Sequence, residues 1–232
     1  MGIYSRLKHS RFPSQCCIVC AEPARNVVCQ SCESEFSITQ KRCVSCAEPL
    51  NQTLDFCGNC LRESPSFNRA FTLYNYDDVV AYLIKKMKYD AQLSLAQFFA
   101  KKMAKKIDEI QFSGCNYDAI LPMPLHKKRL RERGYNQVVE LLRGLSKEVI
   151  IDTMSVERVK PTAPLTGLSL VQRKKEIKGA FNLSQPLPYK NILLVDDVMT
   201  TGSSLNELAK TILKNTGVER CDVLTLARAE HK

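Results

Sequence analysis

Apolar residues along this chain keep two rhythms, and the first quarter of the chain keeps neither. FTLYNY at 71–76 reads as a strand that opens the regular part. Val79, Val80, Leu83, Ile84 and Met87 then recur at the spacing of one helix face. The same spacing over 93–110 puts Leu93, Ala96, Phe99, Met103 and Ile107 on one side of a second helix. Residues 117–121 read as a strand ending in PMP, and 136–145 as a helix. NILLV at 191–195 predicts a buried strand, 206–215 a helix, and CDVLTLA at 221–227 a last strand. Strands alternating with helices predict an α/β domain on a parallel sheet.

Before residue 61 the pattern gives way to cysteine. The chain holds 11 cysteines, and all but Cys115 and Cys221 lie in this stretch. Composition changes across LRESPSFNRA, where Ser64, Pro65 and Ser66 read as a linker between a module of 1–64 and a domain of 65–232. The module carries an internal repeat: CIVCAEP at 17–23 is echoed by CVSCAEP at 43–49, and each is followed by a second CxxC.

The four CxxC pairs are Cys17/Cys20, Cys29/Cys32, Cys43/Cys46 and Cys57/Cys60. Each pair presents two thiolates to one ion, and two pairs complete the tetrahedral Cys₄ shell of structural zinc. Two zinc ions are therefore expected. An iron–sulfur cluster uses the same ligands, and redox dithiols lack a thioredoxin-like context here. Sequential pairing is the simplest arrangement, with a crossed one left open. Complete shells and the absence of a neighbouring base make the sites structural. Cys16 reads as a spectator, and Cys115 and Cys221 as small residues of the second domain.

Charge and length bound the partners. The 232 residues are 44% apolar, enough for an α/β domain with a core. No apolar run reaches membrane-span length, and the start lacks the apolar core of a secretory signal, so a cytoplasmic protein is expected. A formal charge of +10 favours anionic partners.

The densest chemistry lies in NILLVDDVMTTGSSLNELAK, residues 191–210. An apolar strand stops at Asp196 and Asp197, and Thr200, Thr201, Gly202, Ser203 and Ser204 lead into a helix. Ser204 and Glu207 have the spacing of a capping box. Backbone N–H groups at a helix start face an anion, Gly202 permits close approach, and adjacent carboxylates suit vicinal ribose hydroxyls. A lone TGSS would be an ordinary turn; strand, acid pair and hydroxyl loop in uninterrupted order describe a sugar-phosphate site. No Walker A sequence is present.

LLVDDVMTTGSS resembles the motif of type I phosphoribosyltransferases that binds phosphoribosyl pyrophosphate (PRPP). With PMPLHKKRLRERGYNQ at 122–137, LTGLSLVQRKKEIKGAF at 165–181 and the CxxC head, nearly the whole chain resembles the competence protein F (ComF) family. The resemblance implies a double zinc ribbon followed by a parallel-sheet type I phosphoribosyltransferase fold, and a link to DNA uptake. It also places Arg131, Arg133, Gly134, Tyr135, Asn136 and Gln137 around the active site.

Two function classes follow. As a phosphoribosyltransferase, the chain would hold Mg²⁺–PRPP with the ribose on the catalytic pair Asp196 and Asp197. The 5-phosphate would lie on Thr200, Thr201, Gly202, Ser203 and Ser204, and the pyrophosphate near Arg129, Arg131 and Arg133. The sequence names no acceptor. As a non-catalytic module, it would sense PRPP or a nucleotide and bind single-stranded DNA or a helicase-type competence partner. Tyr135, Phe67 and Phe71 would then be candidate stacking residues. Residues 158–181, with Arg158, Lys160, Arg173, Lys174, Lys175 and Lys178, read as a cover over the ligand. Leu165 and Glu176 depart from the family's Gln and Asn there. Lys88 in KKMKY is a weaker site candidate. The three histidines, His9, His126 and His231, form no triad with a serine.

Overall fold

The computed structural model of the protein describes residues 15–36, 41–50, 54–161 and 170–230. It divides into two compact units, Met1–Phe36 and Ser37–Lys232. In the first, β1 (Gln15–Cys16) pairs antiparallel with β2 (Pro23–Ala24), and α1 (Gln30–Ser34) follows.

The second unit begins with the second copy of the repeat, which carries α2 (Gly58–Arg62). Then come β3 (Ala70–Asn75), α3 (Asp78–Tyr89), α4 (Leu93–Phe112), β4 (Ala119–Pro122), α5 (Lys127–Arg133) and α6 (Gln137–Leu142). The chain continues through β5 (Val156–Arg158), α7 (Leu170–Ile177), β6 (Phe181–Leu183), β7 (Asn191–Met199), α8 (Ser203–Asn215) and β8 (Arg220–Arg228). The main sheet has the order β3-β8-β7-β4, with every pairing parallel. β5 and β6 form a separate antiparallel pair. Helices covering a parallel sheet bury its central strands on both faces, so β8 from Cys221 to Arg228 is buried throughout. No helix among the described residues is long and apolar enough to cross a membrane.

The hydrophobic rhythm predicts these helices because it marks what they bury. Val80, Leu83, Ile84 and Met87 of α3 are buried, as are Ala96, Phe99, Met103 and Ile107 of α4. Asp77 caps α3 by accepting from the Val80 N–H at 2.9 Å. Val79 and Leu93, assigned to the same faces, are instead 40% and 49% exposed, at the helix starts where the stripe runs out.

The compositional boundary at 64/65 falls inside the second unit. There the second repeat packs against the sheet. The Ala70 N–H donates to the Val44 carbonyl at 3.1 Å. Arg42 donates to the Ala47 carbonyl at 2.9 Å and to the Asn75 side chain. The expected linker is tied down as well: the Ser66 N–H donates to Asn206 Oδ1 at 2.6 Å, and Phe67 is buried.

Two boundaries differ from the sequence reading. β7 does not stop at the acid pair, because Asp196 and Val198 stay in register with Thr225 and Ala227 of β8. α8 begins at Ser203, with Gly202 as its N-cap, so Ser204 already lies within the helix and the capping box does not form. Glu207 accepts from the Gly179 N–H instead, at 2.6 Å. Residues 162–169 of the expected cover, including Leu165, lie outside the described residues.

Candidate functional site

The eight cysteines gather in sequential order. Cys17, Cys20, Cys29 and Cys32 form one group and Cys43, Cys46, Cys57 and Cys60 the other, with ligand atoms within 4.8 Å of one another in each. Tetrahedral zinc at its usual Zn–S length needs sulfurs about 3.8 Å apart. The Cys20–Cys29 and Cys46–Cys57 sulfurs lie 3.8 and 3.6 Å apart. The repeat is also structural. Cys17 and Cys43 each donate a backbone N–H to the carbonyl of Glu22 or Glu48 at 2.8 Å. Each of their sulfurs accepts from the backbone N–H of Cys29 or Cys57 at 3.3 Å. Ala21 and Ala47 both take positive φ, at 61° and 55°. Burial raises the Cys17 thiol, but N–H donors from Cys20, Cys29 and Val19 outweigh it and bring the pKa to about 6, which favours a thiolate ligand. Cys16 lies in β1 outside the group, and Cys115 and Cys221 are buried in the α/β part.

The second cluster of chemistry sits at the carboxyl ends of β4 and β7, where open α/β sheets bind ligands. Asp197 is 4% exposed and is held from two sides. Lys88 Nζ, from the last turn of α3, lies 2.7 Å from its Oδ1. Gln137 Nε2, from the first turn of α6, donates to its Oδ2. Gln137 in turn accepts from Arg133, which lies over the Tyr89 ring at 5.4 Å from the centroid. Asp196 keeps one oxygen on the Asp197 N–H at 2.8 Å. Burial, with Asp197 alongside, pushes the Asp196 carboxyl up to about 7, against the pull of Lys88 and Arg158. Lys88 is lowered by burial, yet Asp197 more than restores it, so its pKa rises and it stays charged.

The loop after the acids turns at Gly202, whose φ of 72° lies in the left-handed region. Thr201 Oγ1 lies 2.8 Å from Ser203 Oγ and accepts from the Ser203 N–H at 3.3 Å. Thr200 is exposed, Thr201, Gly202 and Ser204 are half-buried, and Ser203 is buried.

The basic stretch is a short helix. His126 caps α5 by accepting from the Lys128 N–H at 3.2 Å, and Gly134 ends it at φ 81°. Arg129 and Arg133, four apart, share a face and are half-buried. Arg131 falls on the opposite, exposed side. Arg158 of β5 also reaches this region. Burial and then Arg129 depress its pKa, Asp196 opposes them, and its guanidinium lies 5.5 Å from the Phe181 ring centroid. Of the expected stacking residues, Phe67 is buried, Phe71 is half-buried in β3, and Tyr135 donates its hydroxyl to the Met87 carbonyl. The KKMKY segment understated Lys88, since a lysine at a helix end looks solvated until the strand it meets is known.

The chain is 35% identical over 217 residues to Competence protein F of Haemophilus influenzae, covering 89% of this chain and 92% of the relative. It belongs to the competence protein F family. No family model matches the chain. Within the family, DNA utilization protein YhgH of Escherichia coli is 29% identical, covering 87% of this chain and 90% of its own length. Competence protein ComFC of Bacillus subtilis is 23% identical, with 87% and 84% covered. Two Cys₄ sets ahead of a parallel α/β sheet fit the double-ribbon architecture expected of the family.

Proposed function

We propose that this chain is a PRPP-binding protein of the phosphoribosyltransferase type, acting in DNA uptake or utilization. The relatives' names, Competence protein F and DNA utilization protein YhgH, support the second half of that statement. The observation that carries the first is the acid pair, braced by Lys88 and Gln137 and followed by a glycine turn into a helix. Ribose hydroxyls would donate to Asp196 and Asp197, and the 5-phosphate would sit on Thr200, Thr201, Gly202, Ser203 and Ser204. Arg129 and Arg133 would meet the pyrophosphate from α5, with Arg131 the least engaged of the three.

Asp196 accepts from the Asp197 N–H through Oδ1 at 2.8 Å. A hard oxygen donor of this kind fits magnesium. When bound with PRPP, magnesium would neutralise charge on the departing pyrophosphate. The chain's own contribution is electrostatic. Positive charge develops on the ribose as pyrophosphate leaves, and Asp196 and Asp197 stabilise it while Lys88 holds Asp197 in place. Calorimetric titration with PRPP and magnesium tests the reading. Micromolar to submillimolar binding that disappears in Asp196→Asn is expected, and no binding by the zinc-loaded wild type would overturn it.

A second reading, single-stranded DNA binding, is favoured by exposed aromatic–cation pairs on α3. Tyr82 is 43% exposed with Lys86 at 5.6 Å from its ring centroid, and Tyr89 is 73% exposed beneath Arg133. Such pairs stack bases without reading sequence. Tyr82→Ala, which leaves the Tyr89–Arg133 contact in place, should then weaken oligonucleotide binding equally for every sequence while sparing PRPP.

A further inference from the structure

Arg228, the last residue of β8, is the largest fully buried side chain in the described protein. Burying a guanidinium is costly unless every donor is used. Here its nitrogens meet partners from three segments. Nε donates to the Cys46 carbonyl at 3.0 Å. Nη1 donates to the carbonyls of Met199, at 3.3 Å, Thr200 and Ala229. Nη2 pairs with the Glu48 carboxylate. Two of these partners, Cys46 and Glu48, belong to the second Cys₄ repeat; two others, Met199 and Thr200, open the phosphate loop.

The direction of those carbonyls decides what the loop offers to solvent. In a trans peptide the C=O and the following N–H point opposite ways. The Met199 carbonyl, which also accepts from the Ala229 N–H at 2.9 Å, and the Thr200 carbonyl both face Arg228, so the N–H groups of Thr200 and Thr201 point away from it. Successive N–H groups aimed to one side make an anion-binding concavity. We infer that Arg228 is a positioning residue that holds the loop backbone in its anion-binding orientation, and that the second ribbon is thereby part of the phosphate site. The inference rests on the phosphate reading of residues 200–204. Glu48 and Cys46 set the guanidinium; the guanidinium sets the loop. Lysine cannot replace it, because one ammonium lacks the planar fork that spans both segments.

The test uses the zinc-loaded full chain as wild type, Glu48→Gln and Arg228→Lys. Nitrogen-15 relaxation at Thr200, Thr201 and Gly202 and amide exchange at Asn206, whose N–H bonds the Gly202 carbonyl at 2.8 Å, are read without ligand. Both variants should loosen the loop, with order parameters falling from about 0.85 to below about 0.6. Exchange at Asn206 should quicken roughly tenfold, following local opening, while amides of 192–195 and 223–226 and the zinc content stay as in wild type. A loop as rigid as wild type in both variants overturns the inference. So does a uniform loosening of loop and sheet, which would make Arg228 merely structural. If Arg228→Lys does not fold, Glu48→Gln alone decides. Ribose 5-phosphate then separates the inference from the reading beneath it. Its affinity should fall about tenfold in Glu48→Gln, a loss of about 1.4 kcal/mol, with the PRPP-to-ribose-5-phosphate affinity ratio unchanged. Wild type that ignores both ligands sinks the phosphate reading, and the ligand-free comparison still decides the brace. Equal ribose 5-phosphate affinity in wild type and variants sinks the brace alone.

Discussion

Replacing one acid of the pair should stabilise the protein and replacing its neighbour should destabilise it. Asp196 is displaced from its ordinary 3.8 to about 7, chiefly by burial and secondly by Asp197. Such a displacement corresponds to ~4 kcal/mol of stability withheld when the group is ionised in the fold. Partial solvent access and a relaxing neighbourhood reduce this, so Asp196→Asn is expected to gain about 1–3 kcal/mol at pH 8, or roughly 3–10 °C in Tm for a chain of this length. The sign with pH follows from linkage. The unfolded acid ionises near pH 4 and the folded one near 7, so the wild type loses stability as pH rises between them and carries the whole penalty above 7. The gain in the asparagine variant should therefore grow from pH 5.5 to 7, by at most ~1.4 kcal/mol per pH step, and then level off. Asp197→Asn removes the carboxylate that Lys88 meets at 2.7 Å. Breaking one side of a buried pair costs about 3–5 kcal/mol; relief of Asp196, which can take up Lys88, returns part, leaving a net loss of about 1–3 kcal/mol. Thermal melts of zinc-loaded protein over pH 5.5–8.5 read both effects. A destabilised Asp196→Asn at pH 8, or a gain that does not change with pH, would refute the reasoning. The same variant should lose PRPP binding, so stability and ligand affinity move in opposite directions.

Four other outcomes are expected. Elemental analysis should find about two zinc ions per chain, and Cys17→Ser or Cys43→Ser should each lower the count by about one; iron, or a metal-free protein after careful reduction, contradicts this. Arg129→Ala with Arg133→Ala should weaken PRPP about 10- to 100-fold, in line with charge-assisted hydrogen bonds worth ~1.5–3 kcal/mol, and ribose 5-phosphate far less. Arg131→Ala should change either affinity less than threefold by calorimetry, given its exposed side of α5. Gly202→Ala should cost about 1 kcal/mol in denaturant unfolding, because its φ of 72° strains any Cβ.

The chain's local signals were readable and its long-range ones were not. Cysteine spacing marked both metal groups, since each knuckle closes within a few residues and its repeat is visible in CAEP. Helix faces were readable because burial repeats with the turn. The reach of β7 through Asp196 and Asp197 was hidden: nothing in VDDVM announces that Thr225 and Ala227 keep it in register. Lys88, Gln137 and Arg158 acquire their meaning only when three separate segments meet the acid pair. Arg228 was the least legible, since an arginine at the end of an apolar strand reads as a solvent-facing terminus, and its partners lie as far as 182 residues away.

That separation also sets an order of assembly on the ribosome. Each Cys₄ group spans fewer than about 20 residues and can close around its ion soon after it emerges. β3, however, pairs with β8, which lies far downstream of it in the chain. Until Arg220–Arg228 leaves the exit tunnel, β3 has no strand partner and the second Cys₄ repeat lacks the side chain that clasps it. A nascent chain with both Cys₄ groups emerged is therefore still unsealed, its β3 unpaired and open to association with other strands. Loss of β8 alone should leave a zinc-binding but aggregation-prone product.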